Sequence, residues 1–568
     1  MIERAPRPRL TPRWTSLVGL ALRARIHDRA RLIRNTRHWQ TNSAGIQRSQ
    51  LTQLLLAARD TEFGKAHGFD RMLEIEDADE RLAAYRDAVP IVEPAAFKEP
   101  LSRMREQGQR DVLWPGLVKR FAQTSGTTAG DKFIPVSDEM MRANFLASLD
   151  IFAHLHNRGV SLTGLMGGKS LFLGGSSDLH PNEHGVTTAD LSGLVTPMIR
   201  WPLSKIYSPG PEIALMSDWP AKIEAMAEQC SREDIRFISG MPSWALVLME
   251  RVIEKAKEQG KAASCVRDVW PKLTVFVHGG VNYRPFAQRV ANLYSGEAGL
   301  DLPERVELYP ASEAFVAIQD EPLEPGMRLL VDNFTFYEFV PLEEIDNDNP
   351  SAFTCETVEK GQKYVVVLSS CAGLWRYILG DVVEFDSIPD RLGEGVGGSE
   401  SSGAGGGGDG PCRLRIVGRH RHFMNAFGEN LIGEHIETGV AEAANQTGLT
   451  VGEFTASPVY ADGERRAGME LAIELQAGDG AEPSPEALAA FGEAFDLAVK
   501  AVNVDYTTKR TDSLGMAPPT VTPLAMGTVH RWMASMGKLG GQHKCPRCAN
   551  HREILEGIVA AGQGVSSL

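Results

Sequence analysis

Short apolar runs constrain this chain more than any other feature. Ser170–Leu173, Leu273–Val277, Val306–Tyr309 and Tyr364–Leu368 are four or five residues long and end near Gly, Pro or Ser. Runs so short and so uniformly apolar suit strands buried on both faces. Helical patterns lie between them. From Arg23 to about His67 an apolar stripe recurs at Leu51, Leu54, Leu55 and Leu56, until Asp60-Thr61-Glu62 and Gly64 break it. The sequence predicts a second helix from about Ser137, a good N-cap because its hydroxyl can accept from first-turn N–H groups. Asp138 and Glu139 follow, where the helix dipole favours acids. Met141, Phe145, Leu149, Phe152 and Leu155 step by three and four, and Gly159 closes the pattern. Pro242 opens another helix, with Leu246, Met249 and Ile253 as its inner stripe and Gly260 beyond its end. The alternation predicts a mixed α/β fold, and no repeat of fixed period is visible.

One segment stands apart. Residues 393–410 hold ten glycines among Ser, Glu and Asp, a composition that makes a flexible loop. Strand-like Val382–Phe385 precedes it and Leu414–Val417 follows, so it is expected to tip a hairpin. A smaller half comes next. It has a helix from about Ile432, a strand at Met469–Gln476 with Leu471, Ile473 and Leu475 inward, and a helix after Ser484-Pro485. The domain boundary is expected near Gly418-Arg419, giving a large part at 1–417 and a small one at 418–568.

Charge narrows the function. Lys plus Arg number 59 and Asp plus Glu 73, a net charge of −14. That balance disfavours a general nucleic-acid binder, which needs a basic face. A local site for a small anion stays open. No run of about 18 apolar residues occurs, so no membrane span is expected. Seven scattered cysteines, an odd number, suit a reducing, cytoplasmic setting with buried thiols. Residues 1–40 carry ten Arg against Glu3 and Asp28. The reading is a solvated N-terminal helix packed on the large domain; a transit peptide or a membrane-surface helix has the same composition.

The sharpest chemical element is Gln123-Thr-Ser-Gly-Thr-Thr-Ala-Gly-Asp-Lys132. Small hydroxyl residues and two glycines let backbone N–H groups reach phosphate oxygens, and Lys132 adds charge. Thr163-Gly-Leu-Met-Gly-Gly-Lys-Ser170 misses the Walker A pattern at its first glycine and runs into a strand instead of a helix. Cys545-Pro-Arg-Cys548 has no second pair at zinc-ribbon spacing. His180, His184, His420 and His422 read as loop or surface histidines, and no Gly-x-Ser-x-Gly elbow supports a serine hydrolase.

Thr124-Ser-Gly-Thr-Thr-Ala-Gly130 resembles the phosphate loop of the acyl-adenylate-forming superfamily, and more closely that of the Gretchen Hagen auxin-responsive family, the acyl acid–amido synthetases. Five further segments agree with that family in order: Val277-His-Gly-Gly-Val281, Leu308-Tyr-Pro-Ala-Ser-Glu-Ala314, Phe336-Tyr-Glu-Phe-Val-Pro-Leu342, Ala372-Gly-Leu-Trp-Arg-Tyr-Ile-Leu-Gly-Asp-Val382 and Gly541-Gln-His-Lys-Cys-Pro-Arg547. Ile378-Leu379 stands where the family often has Arg-Val, the 393–410 loop is long for the family, and the first forty residues carry little of its pattern.

The resemblance implies an α/β fold: a large N-terminal adenylate-forming domain with mixed sheets and helices, plus a small mobile α+β C-terminal domain. It implies a ligase using ATP and Mg²⁺, with a small carboxylic acid and an amino acid as substrates. Thr124, Ser125, Gly126, Thr127 and Thr128 would hold phosphates, with Thr127 catalytic. Gly279 and Gly280 would let backbone approach the adenine. Tyr309 and Ser312 belong to the Tyr-x-x-Ser-Glu segment whose Glu313 would hold Mg²⁺, a hard cation that prefers oxygen. Asp381 would accept from ribose hydroxyls, and Arg419 would touch ribose or phosphate. Lys544 would reach the α-phosphate as charge develops there. Acyl-CoA or acyl-protein ligases share the first half-reaction, and a catalytically silent nucleotide-binding paralogue would keep the motifs without turnover. The Gly240-Met-Pro-Ser-Trp244 helix start could line an acyl pocket or be plain core.

Overall fold

A computed structural model describes residues 2–124, 132–174, 179–195, 201–216, 218–280, 283, 287–322, 324, 326–392, 408–420, 423–424, 431–461, 466–477, 481–510, 515–536, 545 and 547–563. All four expected strands are present, and all four join one sheet. Among the described residues that sheet has 11 strands. Glu304–Pro310, Val275–Gly279, Ile235–Ser239, Lys169–Phe172 and Tyr207–Ser208 run parallel, in that spatial order. The other half is antiparallel: Phe315–Ile318, Met327–Leu329, Arg413–Arg419, Leu374–Ser387, Tyr364–Ser370 and Thr335–Pro341. The helix Pro242–Glu258 bridges two parallel strands, as a parallel pair requires. Its Leu246, Met249 and Ile253 are buried, and Gly260 past its end has φ +80°.

The hairpin around the glycine-rich segment is present: Val383 pairs with Ile416 and Phe385 with Leu414. Residues 393–407 themselves lie outside the described set. The last part of that segment is held. Gln40 Nε2 donates to the Gly408 carbonyl at 2.6 Å, and Asp409 accepts from the Ile388 N–H at 2.8 Å.

The N-terminal pattern resolves into two long helices, Ser16–Arg34 and Thr36–Ala58. Asn35 divides them, its side chain accepting from the His38 N–H. Ser137 caps Asp138–Asn157 as expected, accepting from the Met140 N–H. The stripe on that helix is a correction. Its buried face is Met140, Ala143, Ala147, Ile151 and Leu155, whereas Phe145 is exposed. Small residues carry a close contact with the first helix, and Arg29 draws Asp150 inward through two hydrogen bonds (2.8 and 2.5 Å). Side-chain size alone does not mark the buried face where helices approach closely.

In the C-terminal part Gly468–Gln476 lies between Thr450–Val459 and Thr520–Leu524. Leu471, Ile473 and Leu475 are buried as expected, but Ala472 and Glu474 are buried too. Helices cover both faces: Phe491 and Phe495 pack on one, Val529, Leu555 and Ile558 on the other. Glu474 pays for its burial by accepting from the Val529 N–H at 2.8 Å, at the start of the helix Thr528–Ser535. All seven cysteines are buried, and none is in a disulfide. No described helix is long and apolar enough to cross a membrane.

Candidate active site

Consecutive parallel strands end along one edge of the sheet at Gly174, Gly240, Gly279-Gly280 and Pro310-Ala-Ser-Glu313. The carboxyl edge of a parallel sheet is where ligands usually bind in α/β folds. Two glycines there are required by geometry. A Cβ on Gly279 would sit 2.5 Å from the Leu308 carbonyl oxygen, so the close approach of two strand ends excludes any side chain. Gly280 has φ +84°, a left-handed conformation that costs other residues about 1–2 kcal/mol. The Met241 sulfur lies against it, so the Gly240–Trp244 helix start does border this edge.

The phosphate-loop candidate begins and ends on an antiparallel pair of strands, Arg120–Thr124 and Lys132–Pro135. Thr124 pairs with Lys132 at its base; residues 125–131, with Ser125, Gly126, Thr127 and Thr128, lie outside the described set. Lys132 donates to the buried Glu313 carboxylate at 2.5 Å, and its ammonium sits 4.9 Å from the Tyr377 ring centroid. The sequence named both charged residues but not their pairing. Two segments 181 positions apart thus meet where the loop ends. Ser312, half-buried, precedes Glu313 in the same turn, which the Ala311 N–H closes by donating to the Ala314 carbonyl at 3.0 Å.

Tyr309 and Asp381 meet as well. The Tyr309 hydroxyl donates to Asp381 Oδ2 at 2.5 Å, with both side chains buried. Three strands separate theirs in the sheet order. At about 4.8 Å per strand a flat sheet would hold them about 19 Å apart, beyond the reach of a tyrosine. The sheet therefore curls, bringing its antiparallel half over the parallel strand ends. Asp381 follows Gly380, whose φ is +93° and whose carbonyl accepts from the His420 N–H at 3.0 Å. His420, read from the sequence as a loop or surface residue, is a partly buried neighbour of Gly380 and sits 3.6 Å from Glu93. Arg419 pairs in register with Asp381, but its side chain, like the whole of Lys544, is outside the described set.

Two motif segments turn out to hold the frame. Arg376 has φ +43° at an irregularity in the pairing of Leu374–Ser387 with Tyr364–Ser370. Its guanidinium clasps Glu338 at 2.8 and 3.2 Å and donates to the Val89 carbonyl at 2.8 Å. Arg86 reaches the same carboxylate at 2.8 Å. The Phe336–Leu342 and Ala372–Val382 segments are thereby locked together inside the protein, five positions before Asp381.

Two buried basic groups escaped the sequence reading. His278, next to Gly279, is pushed well below its usual pKa by burial, with Arg305 and Arg4 adding to the effect, so its ring is neutral. Lys222, brought down to about 8 by burial, donates to the Ala214 and Gly174 carbonyls at 2.7 and 3.2 Å. Neither position carries a local signal, because burial is set by distant segments.

Family models match most of the chain. The GH3 family N-terminal domain matches residues 32–209 and 154–298, the central domain 328–391 and the C-terminal domain 434–553. The probable indole-3-acetic acid-amido synthetase GH3.1 of Oryza sativa subsp. japonica is 22% identical over 602 residues, covering 93% of this chain and 91% of its own. The putative indole-3-acetic acid-amido synthetase GH3.10 of the same organism is 26% identical over 379 residues, 60% of this chain and 75% of its own. Among solved structures, AtGH3.15 acyl acid amido synthetase in complex with 2,4-DB shares the fold, with a TM-score of 0.54 at 16% identity over 97% of each chain. With its N-terminal, central and C-terminal regions matched in order, this chain belongs to the GH3 family.

Proposed function

We propose that the chain is an ATP-dependent acyl acid–amido synthetase. A carboxylate oxygen of a small acid attacks the α-phosphorus of ATP, the bond to the β-phosphate breaks, and pyrophosphate leaves. The amine of an amino acid then attacks the acyl carbonyl, loses a proton, and AMP leaves. The observation that carries this reading is the convergence on one sheet edge of Glu313 with Lys132, Tyr309 with Asp381, and the Gly279–Gly280 turn.

Each group suits its part. The hydroxyls and N–H groups of Ser125, Gly126, Thr127 and Thr128 hold phosphates, with Thr127 catalytic, and Thr124 and Lys132 anchor the two ends of the segment. Gly279-Gly280 gives a side-chain-free wall for the adenine. Asp381, steadied by Tyr309, accepts from ribose hydroxyls, and Arg419 lies beside it. One buried carboxylate beside a phosphate loop fits Mg²⁺, which takes one or two carboxylates, phosphate oxygens and waters. Glu313 would hold the ion, which would screen phosphate charge, and Lys132 beside it would add positive charge toward the same phosphates. Lys544 meets the α-phosphate when the small part, from about Gly418 onward, closes on the large one. Buried cysteines outside any disulfide support a reducing setting, the cytoplasm.

The test is pyrophosphate release with ATP, Mg²⁺ and a panel of carboxylic acids, with amino acids or CoA as acceptor. Amide formation with an amino acid is the expected result. Thioester formation alone would assign an acyl-CoA ligase, and no exchange with any acid a silent paralogue.

A further inference from the structure

The first helix carries an outward surface that the site does not use. Trp14, Leu17 and Leu20 are 64%, 70% and 55% exposed, and Ala21 and Ala24 are exposed beside them. At 100° per residue Leu17, Leu20, Ala21 and Ala24 fall on one face, opposite Ile26, Ala30 and Ile33, which are buried against the large domain. Arg23, Arg25, Arg31 and Arg34 are exposed around and beyond this patch, and Arg9 and Arg37 are exposed at its two ends. Asp28 is the single acid within Ser16–Arg34. The cations are crowded enough to act on a neighbour: burial lowers the His156 pKa, and Arg23, His27 and Arg34 lower it further.

The pairing of apolar and basic surface decides what this face suits. Elsewhere arginines in this region are spent internally. Arg29 binds Asp150 and Asp332, Arg7 binds Glu304, and Arg13 lies beside Asp234. Among the described residues the outward arginines have no such carboxylates, on a protein whose net charge is −14. A surface helix with exposed Trp and Leu beside uncompensated arginines matches a bilayer interface, where rings and aliphatic chains enter the headgroup region and guanidinium groups meet lipid phosphates.

We propose that the Trp14–Arg37 face docks the protein on anionic phospholipid surfaces, lying in the interface without crossing it. Binding is reversible and salt-sensitive. Each outward arginine contributes about fivefold to partitioning, so loss of three lowers it about 100-fold.

The test is co-flotation of the full chain with vesicles of phosphatidylcholine alone or with 30% phosphatidylserine (about physiological salt, then about 0.5 M). The expected result is binding to the anionic vesicles only and release at high salt. R23Q/R25Q/R31Q should bind about 100-fold more weakly, and L17S/L20S should bind more weakly than wild type at physiological salt. Circular dichroism and pyrophosphate exchange should be unchanged in both, since none of these side chains lies in the site. Absence of binding to anionic vesicles, equal binding to neutral ones, or equal binding by the variants would overturn the proposal. So would a concentration-dependent dimer that L17S/L20S abolishes while vesicles go unbound, which would make the face a self-association surface.

Discussion

Glu338→Ala should be among the most destabilising single changes in the large part of the molecule. The Glu338 side chain is 1% exposed and that of Arg376 6%. Removing the carboxylate strands a buried guanidinium whose other hydrogen bonds, to the Arg86 and Val89 carbonyls, cannot neutralise it. Breaking one side of a buried ion pair costs about 3–5 kcal/mol. Unfolding entropy near 2.1 cal/mol/K per residue, over a cooperative unit of roughly 400 residues, makes 1 kcal/mol worth about 1.2 °C. Glu338→Ala should therefore lower the melting temperature by about 4–6 °C. Arg86→Ala is the control. It contacts the same carboxylate but is 30% exposed, so water can replace it, and about 1 °C or less is expected. Glu338→Gln should fall between, since one oxygen still accepts while an N–H₂ group faces the guanidinium. Buried Trp375, next to Arg376, gives a local fluorescence signal for the melt. A Glu338→Ala melt within 1 °C of wild type, or no lower than that of Arg86→Ala, would refute the argument that burial makes this pair costly to break.

Further outcomes test the site and its surroundings. Asp381→Ala should chiefly raise the KM for ATP, because ribose contacts persist from ground to transition state; unchanged ATP affinity in a folded variant would remove Asp381 from the site. Lys544→Ala should slow adenylation by about 10²–10³ with ATP binding nearly intact, and should spare amide formation from supplied acyl-adenylate; equal losses in both half-reactions would count against a role confined to the first. Deleting 394–406 should shift the melting temperature little, as loop closure changes by about 1 kcal/mol or less. Extending the deletion through Asp409 should cost more, because Gly408 and Asp409 hold the hairpin base. His154 and His278 are held well below their usual pKa by burial, so unfolding lets each take a proton. Stability should then fall as pH drops below about 6.5, by up to about 1.4 kcal/mol per unit for each ring until the folded pKa is reached. A melting temperature flat between pH 7.5 and 5.5 would contradict this.

Much of this molecule was legible in its residues, for local reasons. Ser137 and Ser484 cap helices because a hydroxyl one turn ahead meets N–H groups that no other backbone can satisfy. The short apolar runs are strands because only buried pairing accommodates them, and all four entered the same sheet. Thr124–Lys132, Gly279-Gly280 and Leu308–Ala314 were recognisable by composition and order. Their meeting was not. Lys132 reaches Glu313, and Tyr309 reaches Asp381 across three intervening strands, only because the sheet curls. Periodicity pointed Phe145 inward, yet close packing of small residues left it outside. His278, Lys222 and Glu338 are buried by segments remote in the chain, and that burial sets their protonation and their cost. Capping and pairing preference are properties of a few neighbouring residues, so the sequence states them directly. Curvature, burial and charge partners depend on which distant segments come together, and only the tertiary structure decides that.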